Sequence, residues 1–511
     1  MPTPTPASSA PLAAKSTVPG PLASNDTRWL IVGAGPTGLG AAYRLKQLGH
    51  ANFRITDRNP YIGGLAHSFT DSAGFTWDIG GHVMFSHYTY YDEVFARLMG
   101  DEYSLIDRES WVRIMDRWVP YPFQNNVKFL PKEAALDCLV GLIKAQTGQG
   151  AIKSHKDATN FGEFIDAVFG EGIARLFMRP YNFKVWAHPP EMMNKQWIGE
   201  RVAVMDWQRA LKNVLLDSND FGWGPNNRFK FPLKGGTGAF YARFEPVIRE
   251  QLRLSRSIAW IDVDKKVAGY TDGSTEPFDL LLSTMPLDVL CATVLRGNVP
   301  DWVRTTAARL RHSGGHMVGV GIKRPCPSTK SWMYFPESNC PFYRVTYLSN
   351  YSPFMTPDKD RYYSLLCETS VSDHKPVNRD TIVEETIVGL QSAGLLEPGE
   401  RDDIVSVWHH EVDYAYPTPS VDRDEILSQV IPWLEARQIF SRGRFGMWKY
   451  EVANTDHTLM QGVELVNRVK LGETETTIGV VYKVTEDGRE AAVHERAPVA
   501  GSGEKRARNA C

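Results

Sequence analysis

Gly33, Gly35 and Gly38 stand directly behind the apolar run Trp29-Leu30-Ile31-Val32 and directly before the helix-like stretch Leu39 to Leu48. Strand, G-x-G-x-x-G and helix in that order form a device for holding a pyrophosphate. The first glycine allows the tight turn, the second lets the backbone approach the phosphates, and the third lets helix and strand pack closely. The phosphates then meet free N–H groups at the positive end of a helix dipole. A second strand, Phe53-Arg54-Ile55-Thr56, ends on Asp57, about 20 residues past the glycines, where a carboxylate can take a ribose hydroxyl.

Two further glycine pairs indicate which dinucleotide. Gly63-Gly64, followed by Leu65, comes six residues after Asp57, and Gly80-Gly81 precedes His82. Flavoproteins of the two-domain class carry such a doublet where the backbone runs close to FAD, and NAD dehydrogenases usually lack it. The run Phe278 to Thr284 has the pattern of the strand by which such folds return to the FAD domain.

Three other segments are dense in Trp, Tyr, Asn and Arg without a simple core pattern: Val119 to Asn126, Met178 to Ala187 and Ser441 to Glu451. With Gly80 to Tyr88 and Tyr334 to Arg344, they resemble the UDP-galactopyranose mutases of fungi and related eukaryotes, over about Trp29 to Gly462. The resemblance implies an isomerase that interconverts UDP-galactopyranose and UDP-galactofuranose for cell-surface glycans. Reduced FAD, through N5, is the nucleophile at the galactose anomeric carbon, and there is no net redox change. The segments offer aromatic, amide and arginine side chains but no nucleophile paired with a base. That fits a site where the cofactor supplies the nucleophile.

The resemblance assigns roles position by position. Arg201 and Arg344 grip the diphosphate and steady UDP as leaving group, a task suited to the forked guanidinium. Tyr334, Tyr416 and Tyr450 donate hydroxyls to the same phosphates. Tyr121, Gln124, Asn182 and Trp186 form the uridine pocket, and Asn226 lies on a mobile flap. His82 lies beside the flavin ring. Thr37, Asp57, Leu65, Gly81, Arg444, Asn454 and Thr455 contact FAD. NADPH is the implied reductant, with no second G-x-G-x-x-G to hold it, and a homo-oligomer, a tetramer, is the implied assembly. No metal is implied. Ala453 departs from the family pattern, which has Gly there, so the loop beside the flavin is expected to shift.

The elements that must position these groups read as a Rossmann-like α/β FAD-binding domain with a helical insertion and an antiparallel β-sheet domain. Residues 28–105, 228–290 and 435–465 form the FAD domain, and residues 125–227 form the helical one. In the latter Ala134, Leu136, Leu139 and Leu142 mark the apolar stripe. Residues 106–124 and 291–434 form the sheet domain, with a hairpin at Trp111 to Tyr121 turning at Asp116-Arg117. A Pro-, Ala-, Ser- and Thr-rich extension over residues 1–27, which reads as disordered, and a divergent tail over 466–511, which reads as partly disordered, flank them.

Composition bounds the rest. Lys plus Arg (57) and Asp plus Glu (59) nearly balance, which argues against a nucleic-acid or anionic-membrane surface over the whole chain. Six scattered cysteines without a C-x-x-C pair read as reduced thiols. No apolar run approaches the ~20 residues of a membrane span, and a cytoplasmic enzyme is the expectation. Two rival readings remain: an FAD-dependent oxidase or desaturase of the amine-oxidase type, and a flavin-free escort protein like the Rab GDP-dissociation inhibitors. The Arg- and Tyr-rich segments argue against the first, and the intact dinucleotide motif against the second.

Overall fold

The computed structural model describes residues 24–198, 202, 206–220, 227–484 and 490–494. Arg201, Asn226 and the first 23 residues therefore lie outside the described part. The chain enters on β1 (Trp29–Val32), turns into α1 (Pro36–Gln47) and returns as β2 (Phe53–Thr56). A hairpin of β3 (Ser68–Thr70) and β4 (Thr76–Asp78), helix α2 (Thr89–Met99) and a second hairpin, β5 (Ser110–Ile114) with β6 (Arg117–Pro120), follow. Four helices come next: α3 (Lys132–Gln146), α4 (Phe161–Ile173), α5 (Arg179–Trp186) and α6 (Trp207–Leu215). The chain then adds β7 (Leu252–Arg253) and β8 (Leu280–Ser283). It builds β9 (Arg311–Ile322), β10 (Trp332–Tyr334), β11 (Arg344–Tyr347), β12 (Tyr363–Val371) and β13 (Ile404–Thr418). It then adds β14 (Ile439–Ser441) and α7 (Thr455–Leu471), and a hairpin of Val480–Val484 with Glu490–His494 follows.

The FAD-type domain is a parallel sheet in the order β14-β8-β1-β2-β7. All four residues of β1 are buried, because the strand feeds a core on each face. Trp29 and Ile31 pack with Leu39 and Leu45 of α1, while Leu30 and Val32 pack with Leu281 and Leu290. Helix α7 lies against α1 at backbone contact. A Cβ on Gly40 would fall 2.4 Å from the Leu459 carbonyl oxygen, and one on Gly462 2.0 Å from that of Thr37.

The second sheet has seven strands in the order β13-β9-β12-β11-β10-β5-β6. It is antiparallel except at one junction, where β10 pairs in parallel with β5. The first hairpin of this sheet turns at Met115 and Asp116, both at positive φ (50° and 56°), one residue earlier than the sequence expectation. In α3 the buried positions are Ala135, Cys138, Leu139, Leu142 and Ala145, and Leu136 is 60% exposed. The expected stripe is thus out of phase at Leu136, because apolar residues run through several consecutive positions there.

Residues 24–27 and the stretch just past α7 carry more structure than the composition suggests. The Asp26 carbonyl accepts from the Asn52 side chain, the Thr27 carbonyl contacts His50 Nε2, and Asn25 accepts from Lys470. The stretch just past α7 is anchored too. Glu475 is buried and paired with Arg442 and Arg468, and the Glu464 carboxylate accepts from the Thr477 amide and hydroxyl. The expected disordered extension therefore reaches too far at residues 24–27, and residues 466–478 belong to the ordered part of the tail. Their anchors are long-range polar contacts that local composition does not encode.

Candidate active site

One cavity of about 970 Å³ runs from the Gly33–Gly38 turn to the β10–β11 strands. Its cofactor end has the features a dinucleotide needs. Gly33 adopts φ +107°, and a Cβ there would lie 1.9 Å from Thr284 Oγ1. A Cβ on Gly38 would lie 1.9 Å from the Gly33 carbonyl oxygen, so neither position admits a side chain. The open side of Gly35 faces the cavity. Asp57, buried at the end of β2, accepts from the Ala34 and Asn59 amides at 2.7 and 2.8 Å and holds the turn in place. The Gly63 amide donates to the Ala34 carbonyl and ties the second glycine pair to the first loop. Helices α1 and α7 both begin at this cavity, through Pro36-Thr37 and Asn454-Thr455, so two positive dipole ends face it.

Around Gly80-Gly81, two buried polar atoms have no hydrogen-bond partner among the described residues: His82 Nδ1 and Thr346 Oγ1. Orphaned polar atoms beside a glycine cradle fit a ring bearing its own donors and acceptors. Burial, reinforced by the cations Arg444 and Arg344 against the carboxylate of Glu368, pulls the His82 imidazole down to about 4. His82 is therefore neutral at neutral pH.

At the other end the cavity is built from hydroxyls, rings and one braced cation. The Arg344 guanidinium donates through Nε and Nη2 to the two oxygens of Glu368, each at 2.7 Å. Glu368 also accepts from the Tyr343 hydroxyl at 2.8 Å and the Gly81 amide at 3.0 Å. Burial would raise the Glu368 carboxyl, but Arg344 and these donors hold it below the usual carboxylate range. The Tyr343 hydroxyl meets that of Tyr416 at 3.1 Å. Tyr334 packs against Tyr121 and Tyr181, with ring centroids 5.0 and 5.3 Å apart, and its hydroxyl accepts from Trp332 Nε1.

Most of the expected site residues converge here. Gly33, Gly35, Thr37, Asp57, Gly64, Leu65, Gly80, Gly81, His82, Tyr121, Gln124, Asn182, Trp186, Tyr334, Arg344, Tyr416, Arg444, Tyr450, Asn454 and Thr455 all line the cavity. Gly38 and Gly63 sit behind the lining and support the turns. Several of the lining residues are tied to the scaffold. The Thr37 hydroxyl donates to the Thr458 carbonyl, and Arg444 donates to the Ala415 and Ala453 carbonyls. Asn182 Nδ2 donates to the Met178 carbonyl. Trp186 is 1% exposed, edge-on to Trp197 and Tyr450, so it acts as a wall. Ala453 takes φ −120° and ψ 18°, a conformation open to any residue, so the absent glycine imposes no backbone strain.

Sequence reasoning missed Glu368, Tyr343, Tyr181 and Arg108. A glutamate directly after the apolar run Leu365-Leu366-Cys367 was the available signal for the first. Arg108 places its guanidinium 4.7 Å from the Trp332 ring and 5.5 Å from that of Tyr121. It stands in a loop with no flanking pattern to mark it.

A family model described as flavin containing amine oxidoreductase matches residues 36–494. The chain belongs to that family. As a member of that family it takes FAD as cofactor, and the glycine cradle and orphaned atoms fit that group. It is similar to a crystal structure of reduced UDP-galactopyranose mutase, with 43% identity and a TM-score of 0.84, covering 88% of this chain and 96% of that one. It also shares its fold with a putative protoporphyrinogen oxidase from Exiguobacterium sp. 255-15, with 15% identity and a TM-score of 0.63, covering 88% and 99%. A putrescine oxidase variant is likewise similar in fold, with 12% identity and a TM-score of 0.62, over 88% and 99%. No helix among the described residues is long and apolar enough to cross a membrane.

Proposed function

We propose that this family member is a UDP-galactopyranose mutase, interconverting UDP-galactopyranose and UDP-galactofuranose. The observation that carries the reading is Arg344, braced by a buried carboxylate at the rim of the Gly80–His82 loop, in a chain 43% identical to such an enzyme. When bound and reduced, FAD supplies a nucleophilic N5, with no net redox change over the cycle.

The chain's own groups bind, orient and neutralise. Arg344 carries fixed positive charge toward the diphosphate, and because Glu368 already orients it, little reorganisation accompanies departure of UDP. Arg201 is assigned the second cation. The hydroxyls of Tyr334, Tyr416 and Tyr450 serve as further phosphate donors. Tyr121, Gln124, Asn182 and Trp186 form the uridine pocket, and Asn226 belongs to a segment closing over substrate. His82, held neutral by its surroundings, accepts or donates one hydrogen bond at the cofactor without bringing charge to it. In finer grain the reading is of the eukaryotic, fungal-type enzyme, reduced by NADPH and assembled as a homotetramer.

The deciding experiment adds UDP-galactofuranose to dithionite-reduced protein and separates the nucleotide sugars. UDP-galactopyranose should form catalytically, and air-oxidised protein should be inert. Consumption of one reductant per product would instead identify an oxidoreductase.

A further inference from the structure

Outside the substrate end, one face of β13 carries Ser406, Trp408, His410 and Val412 at every second position. His410 and Val412 line the cofactor cavity. From His410 a row of nearly parallel rings leads away from it. His410 and Trp408 lie 5.5 Å apart at 4°, Trp408 and Trp77 6.1 Å apart at 7°, and Trp77 and Phe75 5.7 Å apart at 16°. The half-buried Tyr362 ends the row, edge-on to Phe75 at 5.9 Å.

The row is deliberately housed. Gly319 and Gly321 of β9 pair with Trp408 and Ser406. A Cβ on Gly319 would fall 2.5 Å from the Trp77 ring, and one on Gly321 2.7 Å from that of Phe75. Glycine weakens a strand interior, and here it makes room for rings. Trp77 Nε1 donates to Asp71 Oδ2 at 2.8 Å, and Ser406 donates to the same oxygen. The indole N–H thus points at an anion that can take its proton.

We propose that Trp408 and Trp77 form a one-electron route between the flavin cavity and the protein face bearing Tyr362, and that it supports light-driven reduction of FAD. Oxidised FAD excited by blue light takes one electron from Trp408. Trp77 refills Trp408, and the resulting Trp77 radical cation, a far stronger acid than neutral indole, passes its Nε1 proton to Asp71. An electron from an external thiol at the Tyr362 face reaches the fully buried Trp77 across Phe75, and the proton returns. Two such passages with two solvent protons convert FAD to its reduced form, while one dithiothreitol is oxidised to its cyclic disulfide. The inference rests on FAD occupying the cavity and not on the mutase reaction.

The test illuminates anaerobic, FAD-loaded protein in dithiothreitol, follows loss of the oxidised-flavin absorbance, and records transient spectra after a blue flash. The wild-type protein should show a neutral tryptophanyl radical and bleach steadily. Trp408→Phe should lose the radical, Trp77→Phe should lose its long-lived part, and both should bleach more slowly. Asp71→Asn should leave the tryptophan as the radical cation. FAD occupancy and melting temperature, with turnover of the dithionite-reduced variants, separate these effects from misfolding. Unchanged radical and bleaching in Trp77→Phe, or a radical confined to cavity tyrosines such as Tyr416, would overturn the route. A colourless purified protein would remove the cofactor itself, an outcome distinguishable from both.

Discussion

Arg344 and Glu368 face each other across β11 and β12 as direct register partners, joined by two bonds of 2.7 Å. The carboxylate side chain is 2% exposed and the guanidinium 22%, so the pair is buried on one side and open to the cavity on the other. The same carboxylate receives the Gly81 amide, which links the cation to the loop preceding His82.

Glu368→Gln keeps the shape but removes the charge that balances Arg344. Breaking a buried pair in this way costs about 3–5 kcal/mol of stability. Turnover of the reduced enzyme should fall as well, because Arg344 loses its fixed orientation. Thermal unfolding beside steady-state kinetics checks both, and a variant with unchanged melting and kcat would show that Glu368 braces nothing.

Arg344→Lys retains charge without the fork. The expected loss is about 2–4 kcal/mol of transition-state stabilisation, seen in kcat as well as KM, with FAD content preserved. Since Nε and Nη2 both bond Glu368, the melting temperature should drop as well. Kinetics like those of the wild type would remove Arg344 from the substrate's phosphates.

His82 should remain neutral from pH 5 to 8 when followed by NMR. Its folded value of about 4 lies below the ordinary 6.5, so the folded state binds fewer protons than the unfolded one between those limits. The stability tied to its neutrality is full above about pH 6.5 and is lost as pH falls toward 4, by about 3 kcal/mol. Comparing urea unfolding at pH 7 and 4.5 in wild type and His82→Gln isolates this contribution. Equal pH slopes in the two proteins would contradict it.

A chain starting at Ser24 should match the full-length protein in flavin content and melting. A chain starting at Arg28 lacks the partners of Asn52, His50 and Lys470, each bond contributing about 1 kcal/mol. It should melt earlier while keeping FAD. Identical melting of the two would show that residues 24–27 add nothing.

Glu475→Gln tests the chain past the last helix. Arg442, 0% exposed on its side chain, would lose its main carboxylate, and a loss of about 3–5 kcal/mol is expected. A melting curve like that of the wild type would mark the segment after α7 as unimportant to the core.

The contrast between these residues explains what could be read early. Gly33, Gly35, Gly38 and Asp57 declare themselves locally, since a turn, a close approach and a strand end each demand a residue type within a short window. The residues assigned to the substrate came from whole-segment resemblance, and Tyr121, Gln124, Asn182, Trp186, Tyr334, Arg344, Tyr416 and Tyr450 line one cavity. Glu368 was missed because its partner is fixed by strand register, which no local pattern states. Glu475 escaped for the same reason, its partners being Arg442 and Arg468. At Leu136 the periodicity itself misled, because several phases of an apolar-rich helix look alike.

The cofactor cradle joins the two ends of the polypeptide: Gly33 to Thr37 opens it, and Asn454 to Thr458, packed on α1 through Gly40 and Gly462, closes it. During synthesis on the ribosome the first half must wait for more than four hundred residues before its complement emerges. The cradle is therefore complete only once Thr458 has been made, and a chain terminated before it should not hold FAD as the whole chain does. The yellow colour of a preparation should then count chains made at least through Thr458.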